Sequence, residues 1–430
     1  MTTVLAFLFV LGVLIFVHEL GHFLVARFYG VRVLRFSLGF DPKLVKFTRG
    51  GTEYSIGVIP LGGFVKLAGE TVEDQRTGAP DEFLSKSKWI RFQVYLAGPV
   101  MNMILALVLL TITLLGGADI PLYQSAPAVI GTVAAGSPAE KAGLHVGDQI
   151  VRIGEKSVKT WDELEMAVMP QANRELDIAA VRSGNRIEAK VTPDAISKYE
   201  IGTLGILPVM RAQLASVDPN KPGSRAGLQR GDVLVALDGA RLDQPGIMDR
   251  IHKSAGKPIV MTIERAGQTR DVTVTPELTA GEGRIGVTIS PFEVKRIEPS
   301  VLQAIKMSAQ RNWETTTVIA GTLKGLFRGQ TPVKQLMGPV AIAQLSGNAA
   351  ALGLKYLFEL MAMISLNLGL INLLPVPVMD GGQIAILGFE GLIRRDLSLR
   401  VKERILMVGA ALVIALMGTV IFNDIVRLLK

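Results

Sequence analysis

His18-Glu19-Leu20-Gly21-His22 spells H-E-x-x-H inside an almost unbroken apolar run. Upstream lies Val4-Leu5-Ala6-Phe7-Leu8-Phe9-Val10-Leu11-Gly12-Val13-Leu14-Ile15-Phe16-Val17, and downstream Phe23-Leu24-Val25-Ala26. On a helix, histidines at i and i+4 project from one face and can share a Zn²⁺, while Glu19 beside them can act as general base toward a hydrolytic water. A soluble hydrolase helix has a polar face, whereas this one is apolar all round except at the motif. Ionisable groups at membrane depth are costly, so three within one short motif mark a site. A chance match is the competing reading, but chance rarely puts this motif in a spanning segment.

The chain has 430 residues, 49% of them hydrophobic, and a positive mean hydropathy. That is enough for several spanning helices plus soluble domains. It has no cysteine, which excludes disulfides and thiolate metal sites. The net charge of +8 is distributed like the positive-inside bias of a membrane protein, not like a nucleic-acid-binding surface. Nothing at the N-terminus reads as a cleavable signal, since there is no basic n-region and cleavage would discard the motif.

Four segments are long enough to span, near residues 4–26, 94–115, 356–378 and 405–422. The first connecting loop carries Arg27, Arg32, Arg35, Lys43, Lys46, Arg49, Lys66, Lys86, Lys88 and Arg91, and the last carries Arg394, Arg395, Arg400, Lys402 and Arg404. Both read as cytoplasmic, leaving the termini and the long central region outside. Arg427 and Lys430 argue mildly the other way.

The central region contains a duplication. Ser137-Pro138-Ala139-Glu140-Lys141-Ala142-Gly143-Leu144-His145-Val146-Gly147-Asp148-Gln149-Ile150 recurs as Lys221-Pro222-Gly223-Ser224-Arg225-Ala226-Gly227-Leu228-Gln229-Arg230-Gly231-Asp232-Val233-Leu234. A-G-L-x-x-G-D-x-[IL] resembles the PDZ family, in its circularly permuted bacterial order. Each copy is followed by a second signal, Leu204-Gly205-Ile206 and Ile285-Gly286-Val287, resembling the loop that receives a peptide C-terminus beside an open strand edge. The competing reading is a pair of spacers with closed grooves. Beyond the repeats, apolar residues at helical spacing over 301–327 predict one or two amphipathic helices, lying on the membrane or packed on a neighbour.

A hydrolytic zinc site usually takes three protein ligands. Of the four histidines, His145 and His252 lie in the repeats, so the third ligand should be a carboxylate level with His18 and His22. Glu359 falls at the far end of the third span. Asp380, in Asn372-Leu373-Leu374-Pro375-Val376-Pro377-Val378-Met379-Asp380-Gly381-Gly382, falls at the right end. A solvated helix-end residue or an N-cap for the following segment is the alternative for Asp380.

H-E-x-x-H in the first span, N-x-x-P-x-P-x-x-D-G in a later one and PDZ-like repeats between them resemble the site-2 protease family over essentially the whole chain. The resemblance implies zinc on His18, His22 and Asp380, with Glu19 as the catalytic base. It implies substrate positioning by Asn372, with Pro375 and Pro377 framing the site. It also matches Ala97-Gly98-Pro99-Val100-Met101-Asn102 to a G-P-x-x-N element at the same depth, putting Asn102 near substrate; Pro99 alone reads as a first-turn proline. The β-prone stretch over 52–67 resembles the family's membrane-reentrant hairpin, whose edge near Gly57, Val58 and Ile59 would pair with unwound substrate. Two positions depart from the pattern: Gly39-Phe40-Asp41 replaces G-F-G, and Met379-Asp380-Gly381 replaces L-D-G.

The expected fold is a polytopic α-helical membrane protein with four transmembrane helices and a reentrant β-hairpin, plus two extracytoplasmic α+β PDZ domains. Its parts are helix one at 1–29, the β loop at 30–90, helix two at 91–118, repeats at 126–210 and 211–292, amphipathic helices and linker at 298–348, helix three at 349–382, a cytoplasmic loop at 383–403 and helix four at 404–424. The expected activity is hydrolysis, in the inner membrane and near its cytoplasmic side, of transmembrane segments of single-pass proteins. An anti-sigma factor already cut outside, or a remnant signal peptide, is the substrate type the family suggests. The partners are such substrates and the lipid bilayer, with no nucleic acid. A non-catalytic scaffold presenting PDZ domains is the alternative, and a transporter a weaker one.

Overall fold

The structure is a computed structural model that describes residues 2–70, 77–196, 201–240, 244–279, 281–328 and 337–429. The chain divides into a unit formed by 1–116 with 298–430, and a second unit formed by 117–297.

Seven helices build the first unit among the described residues: α1 (Thr2–Phe28), α2 (Lys88–Leu115), α3 (Val301–Phe327), α4 (Pro339–Leu352), α5 (Leu354–Asn372), α6 (Asp380–Leu392) and α7 (Leu399–Leu429). Four stretches are long and apolar enough to cross a bilayer: Thr2–Phe28, Lys88–Leu115, Leu354–Asn372 and Arg400–Val426. Val10 and Leu14 of α1 pack with Ala106 and Leu109 of α2 and with Met361 and Leu366 of α5, all buried. Lipid tails compete for such apolar surface, so helices associate where small residues let backbones close in. Gly21 of α1 allows this: a Cβ there would meet the Ala97 carbonyl carbon and Met101 Cγ, each at 2.8 Å. Gly369 of α5 does the same against the Pro99 carbonyl oxygen at 2.9 Å. By contrast α7 leaves Met407, Leu412, Ile414 and Phe422 exposed, as a lipid-facing helix does.

Several boundaries differ from the sequence reading. Helix three ends at Asn372, not 382, because Pro375 and Pro377 lack the N–H groups that would continue it. The stretch after Gly382, read as loop, belongs to α6, which starts at Asp380. Pro99 is no first-turn proline; it sits inside α2, whose N-cap is Ser87. The amphipathic segment is one continuous helix, α3, opened by a Ser300–Gln303 capping box. The linker expected after it includes 329–336, which lie outside the described residues.

Strands β1 (Val33–Arg49) and β2 (Thr52–Leu67) form one antiparallel pair that folds back on itself. Ile56 faces both Val45 and Leu38, while Phe36 faces both Tyr54 and Val65. The pair is therefore a four-segment sheet in which 52–57 lies between 43–49 and 33–38, and 63–67 forms the far edge. Gly39 makes the bend possible, with φ +81. Asp41, the departure from G-F-G, turns its carboxylate onto the Arg35 guanidinium (2.8 and 3.1 Å) and so ties the bend to β1. Phe40, Leu44, Val45, Phe47, Ile56, Val58 and Ile59 are exposed on this sheet.

The second unit holds two α+β cores. In the first, Lys156–Ser157, Gln149–Ile153, Leu176–Arg182 and Asn185–Val191 form a four-stranded sheet in that order, packed around buried Trp161, Ile150 and Ile178. In the second, the order is Gln268–Val274, Ile259–Arg265, Val233–Leu237, Gln213–Val217, Val287–Ser290, around Leu214, Met261 and Ile263. The duplicated motif does the same job twice. Asp148 bonds the His145 N–H and the Arg182 guanidinium, and Arg182 also reaches the Gly143 carbonyl. Asp232 repeats this with the Gln229 N–H, Arg265 and the Gly227 carbonyl. The arriving strand Ala118–Pro121 pairs with the departing strand Val294–Ile297, so both cores hang on one two-stranded stem.

Candidate metal centre

His18 and His22 are one turn apart on α1, and their rings meet edge to face with centroids 4.9 Å apart. Asp380, the first residue of α6, reaches them from the opposite side. Its Oδ2 is 3.1 Å from His18 Nε2 and its Oδ1 is 3.4 Å from His22 Nε2. The two Nε2 atoms are 3.2 Å apart, and one donor atom from each of the three residues lies within 4.8 Å of the others. Asp380 is therefore neither a solvated end residue nor an N-cap; Met379 holds the cap position.

The surroundings orient the imidazoles. His22 Nδ1 donates to the Val94 carbonyl at 2.7 Å, which leaves Nε2 with a bare lone pair. Asn102 of α2 lies 3.2 Å from His18 Nδ1, on the side away from Asp380, and Ser365 of α5 holds the Asn102 carbonyl at 2.7 Å. Gly98 lies flat against the pair: a Cβ there would meet His22 Cε1 at 2.7 Å and His18 Cε1 at 2.8 Å. Gly381 and Gly382 leave room for the 373–379 break to fold over the start of α6, where a Cβ on either would strike the carbonyl of Leu373 or Val376.

Converging lone pairs and a carboxylate repel unless a cation or protons lie between them. Two imidazole nitrogens and one carboxylate are a donor set that suits Zn²⁺ and keeps a position open for water. The residues fit the metal. Glu19 is buried beside them, accepting the Val65 N–H from the sheet edge.

Of the residues singled out in the sequence, His18, Glu19, His22, Asp380, Asn102 and Asn372 come together here. Asn102 meets His18 at Nδ1, the ring nitrogen turned away from Asp380, so its placement suits orienting that imidazole. Asn372 Nδ2 lies 3.4 Å from His18 Nε2, the ring nitrogen that Asp380 also approaches. Pro375 lies in the break, and the Pro377 carbonyl accepts from Gln383 at 3.1 Å. Gly57 and Ile59 are paired with Lys43 and Phe40, and Val58 lies between them. The segment beside the motif helix is instead 63–65: a Cβ on Gly63 would meet Glu19 Cγ at 3.1 Å. Gly205 and Gly286 have φ near +70, which lets each loop close over a short helix, Pro138–Lys141 in the first repeat and Pro222–Arg225 in the second. Leu204 and Ile285 are buried and give their carbonyls to Ala139 and Gly223, while Ile206 and Val287 open the strands that follow. Sequence reasoning missed the Val94 carbonyl, Ser365 and the 63–65 edge. None carries a signal in its residue type.

The chain matches the model of peptidase family M50 over residues 6–416. It is 34% identical to the protease RseP of Yersinia pestis and to the regulator of sigma-E protease RseP of Escherichia coli, each match covering 98% of both chains. A putative zinc metalloprotease of Neisseria meningitidis is 34% identical over the full length of both. By these matches over essentially its whole length, the chain belongs to peptidase family M50, the site-2 proteases, and is an intramembrane zinc metalloprotease.

Proposed function

We propose that His18, His22 and Asp380 hold the zinc and that Glu19 is the general base. The observation that carries this reading is the meeting of the three donor atoms from two separate helices within 4.8 Å. Zinc bound there supplies Lewis-acid polarisation of the scissile carbonyl and acidifies water. Glu19 takes the proton of the attacking water on its carboxylate and passes it to the leaving amine. Asn372 donates its amide N–H groups on the open side of the cluster, where a substrate carbonyl arrives.

A substrate helix must unwind before its carbonyls are open to attack, and the freed backbone then needs partners. The outer edge of 63–67 supports that role, because it has no strand partner among the described residues and runs past Glu19. Val58 and Ile59 present exposed apolar side chains instead, with Gly57 buried before them, which supports a membrane-inserted, reentrant face. Pro375 and Pro377 frame the opposite side through the break.

The basic loops support an active site near the cytoplasmic face of the inner membrane, with the two repeats outside as PDZ domains. There they act as a size filter, so that bulky external parts of a substrate must be removed first. The loops at Leu204, Gly205, Ile206 and at Ile285, Gly286, Val287 sit where PDZ domains take peptide ends. The name of the Escherichia coli relative, regulator of sigma-E protease, supports an anti-sigma factor, a single-pass membrane protein, as substrate. Purified protein should cut such a segment, lose activity to a chelator and regain it with zinc. Glu19→Gln should keep its zinc and lose cleavage by at least ~10²-fold; wild-type turnover in that variant would remove Glu19 from the chemistry.

A further inference from the structure

Asp380 opens α6 directly after the 373–379 break, to which the first turn of α6 is tied by Gln383 on the Pro377 carbonyl at 3.1 Å. The 373–379 break is irregular and is held by turn bonds such as Met379 N–H to the Val376 carbonyl, 2.8 Å. A second attachment, built from buried charges, is at the other end. Glu390, about ten residues on or ~15 Å by helical rise, is fully buried. Its Oε1 takes Lys402 Nζ of α7 at 2.7 Å and the Leu397 N–H at 2.7 Å. Its backbone carbonyl takes Lys88 Nζ of α2 at 2.7 Å. Asp396, just beyond α6, bridges Lys88 and Arg91 of α2 at 3.1 and 3.4 Å.

Glu390 Oε2 and Arg91 Nε are buried without a protein partner, and both residues line a small cavity between α2 and α6 with Tyr95, Gln383 and Lys402. A buried charge pair that leaves polar atoms unmatched is a poor source of stability, because desolvation offsets much of the attraction. Fixing one geometry is the service such a pair does well, since removing either partner strands the other.

We infer that Glu390 and Lys402 are positioning residues for Asp380: their ion pair, with Lys88 on the Glu390 carbonyl, seats the far end of α6 against α2 and α7 and so sets where its first residue meets His18 and His22. A rigid helix transmits the placement of one end to the other, and even a misplacement of about 1 Å in a catalytic constellation costs ~10²-fold in rate. The inference rests on Asp380 being a zinc ligand.

The test compares full-length wild type, Glu390→Gln, Lys402→Gln and the double variant, measuring zinc affinity by chelator competition and cleavage by kcat and KM separately. Each single variant should bind zinc at least ~10-fold more weakly and lose kcat with KM nearly unchanged. The double variant, which strands no charge and keeps an amide–amide hydrogen bond, should recover to within ~3-fold of wild type. If Glu390→Gln does not accumulate as folded protein, Lys402→Gln breaks the same pair from its less buried partner and carries the comparison. Wild-type zinc affinity in the single variants, or losses that the double variant fails to recover, would overturn the clamp. Asp380→Ala run alongside keeps the two claims apart. Unchanged zinc affinity there sinks the ligand assignment, whereas abolished binding with unaffected Glu390→Gln and Lys402→Gln sinks only the clamp.

Discussion

Asn102 and His18 meet through the side-chain amide and Nδ1 at 3.2 Å, on the face of the imidazole turned away from Asp380. With Nε2 committed to the metal side, Nδ1 carries the ring proton and needs an acceptor. Rotating the Asn102 amide by half a turn supplies one, because its Oδ1 otherwise has no protein partner. Asn102→Ala should therefore weaken zinc binding ~10- to 100-fold, the usual effect of removing such a partner. Asn102→Asp, which still accepts, should recover most of it. Equal losses in both variants, measured by chelator competition, would show that Asn102 only fills space.

The sheet edge gives a second prediction. Val65→Pro removes the N–H that meets Glu19 and stiffens the strand nearest the site. It should cut cleavage at least several-fold more than Val58→Pro, since Val58 lies on the far, exposed part of the sheet. Zinc content should be unchanged in Val58→Pro. If Val58→Pro is the more damaging, substrate is held at the exposed bend and the edge at 63–67 is not its partner.

How much of this was legible in the sequence follows from what each residue type can signal. His18, His22 and Glu19 are unmistakable because ionisable groups rarely occur in an apolar span, and the position of Asp380 at the end of the third span points to the same depth at which it meets the two histidines. The break before Asp380 was legible in its prolines, but the length of helix three was misread because apolar residues continue past Asn372. Main-chain partners such as the Val94 carbonyl leave no trace in composition. The fold-back of the sheet was also hidden: period-two alternation predicts strands, while the pairing of 52–57 on both sides depends on the bend at Gly39 and on Asp41 reaching Arg35. Gly98 stood in a quoted motif, yet only the structure reveals that its missing side chain makes room for two imidazoles.

The first repeat should weaken in acid in a way that depends on one pair. Bonding to the Arg182 guanidinium holds the Asp148 carboxyl below the ordinary carboxylate range. A carboxyl depressed in the folded state adds stability that is complete above its unfolded value of ~3.9 and is lost as pH falls through the lower, folded value. Trp161 is buried in that core, whereas Trp89 and Trp313 are exposed. In a Trp89→Phe/Trp313→Phe background its fluorescence reports this repeat. The thermal midpoint should be steady between about pH 5 and 7 and fall below about pH 4. Arg182→Ala should lower the midpoint at neutral pH and flatten that acid dependence; an unchanged acid slope would assign it to other carboxylates.

The central claim is that zinc sits on His18, His22 and Asp380. X-ray absorption at the zinc edge of the purified protein tests it most directly, because the imidazole rings give outer-shell scattering that other ligands lack. The account predicts about one zinc per chain with two imidazole nitrogens at ~2.0–2.1 Å and oxygens completing the shell. In Asp380→Ala the zinc should be lost, or its oxygen shell altered with both imidazoles retained. A spectrum without imidazole scattering, or one identical in wild type and Asp380→Ala, would contradict it.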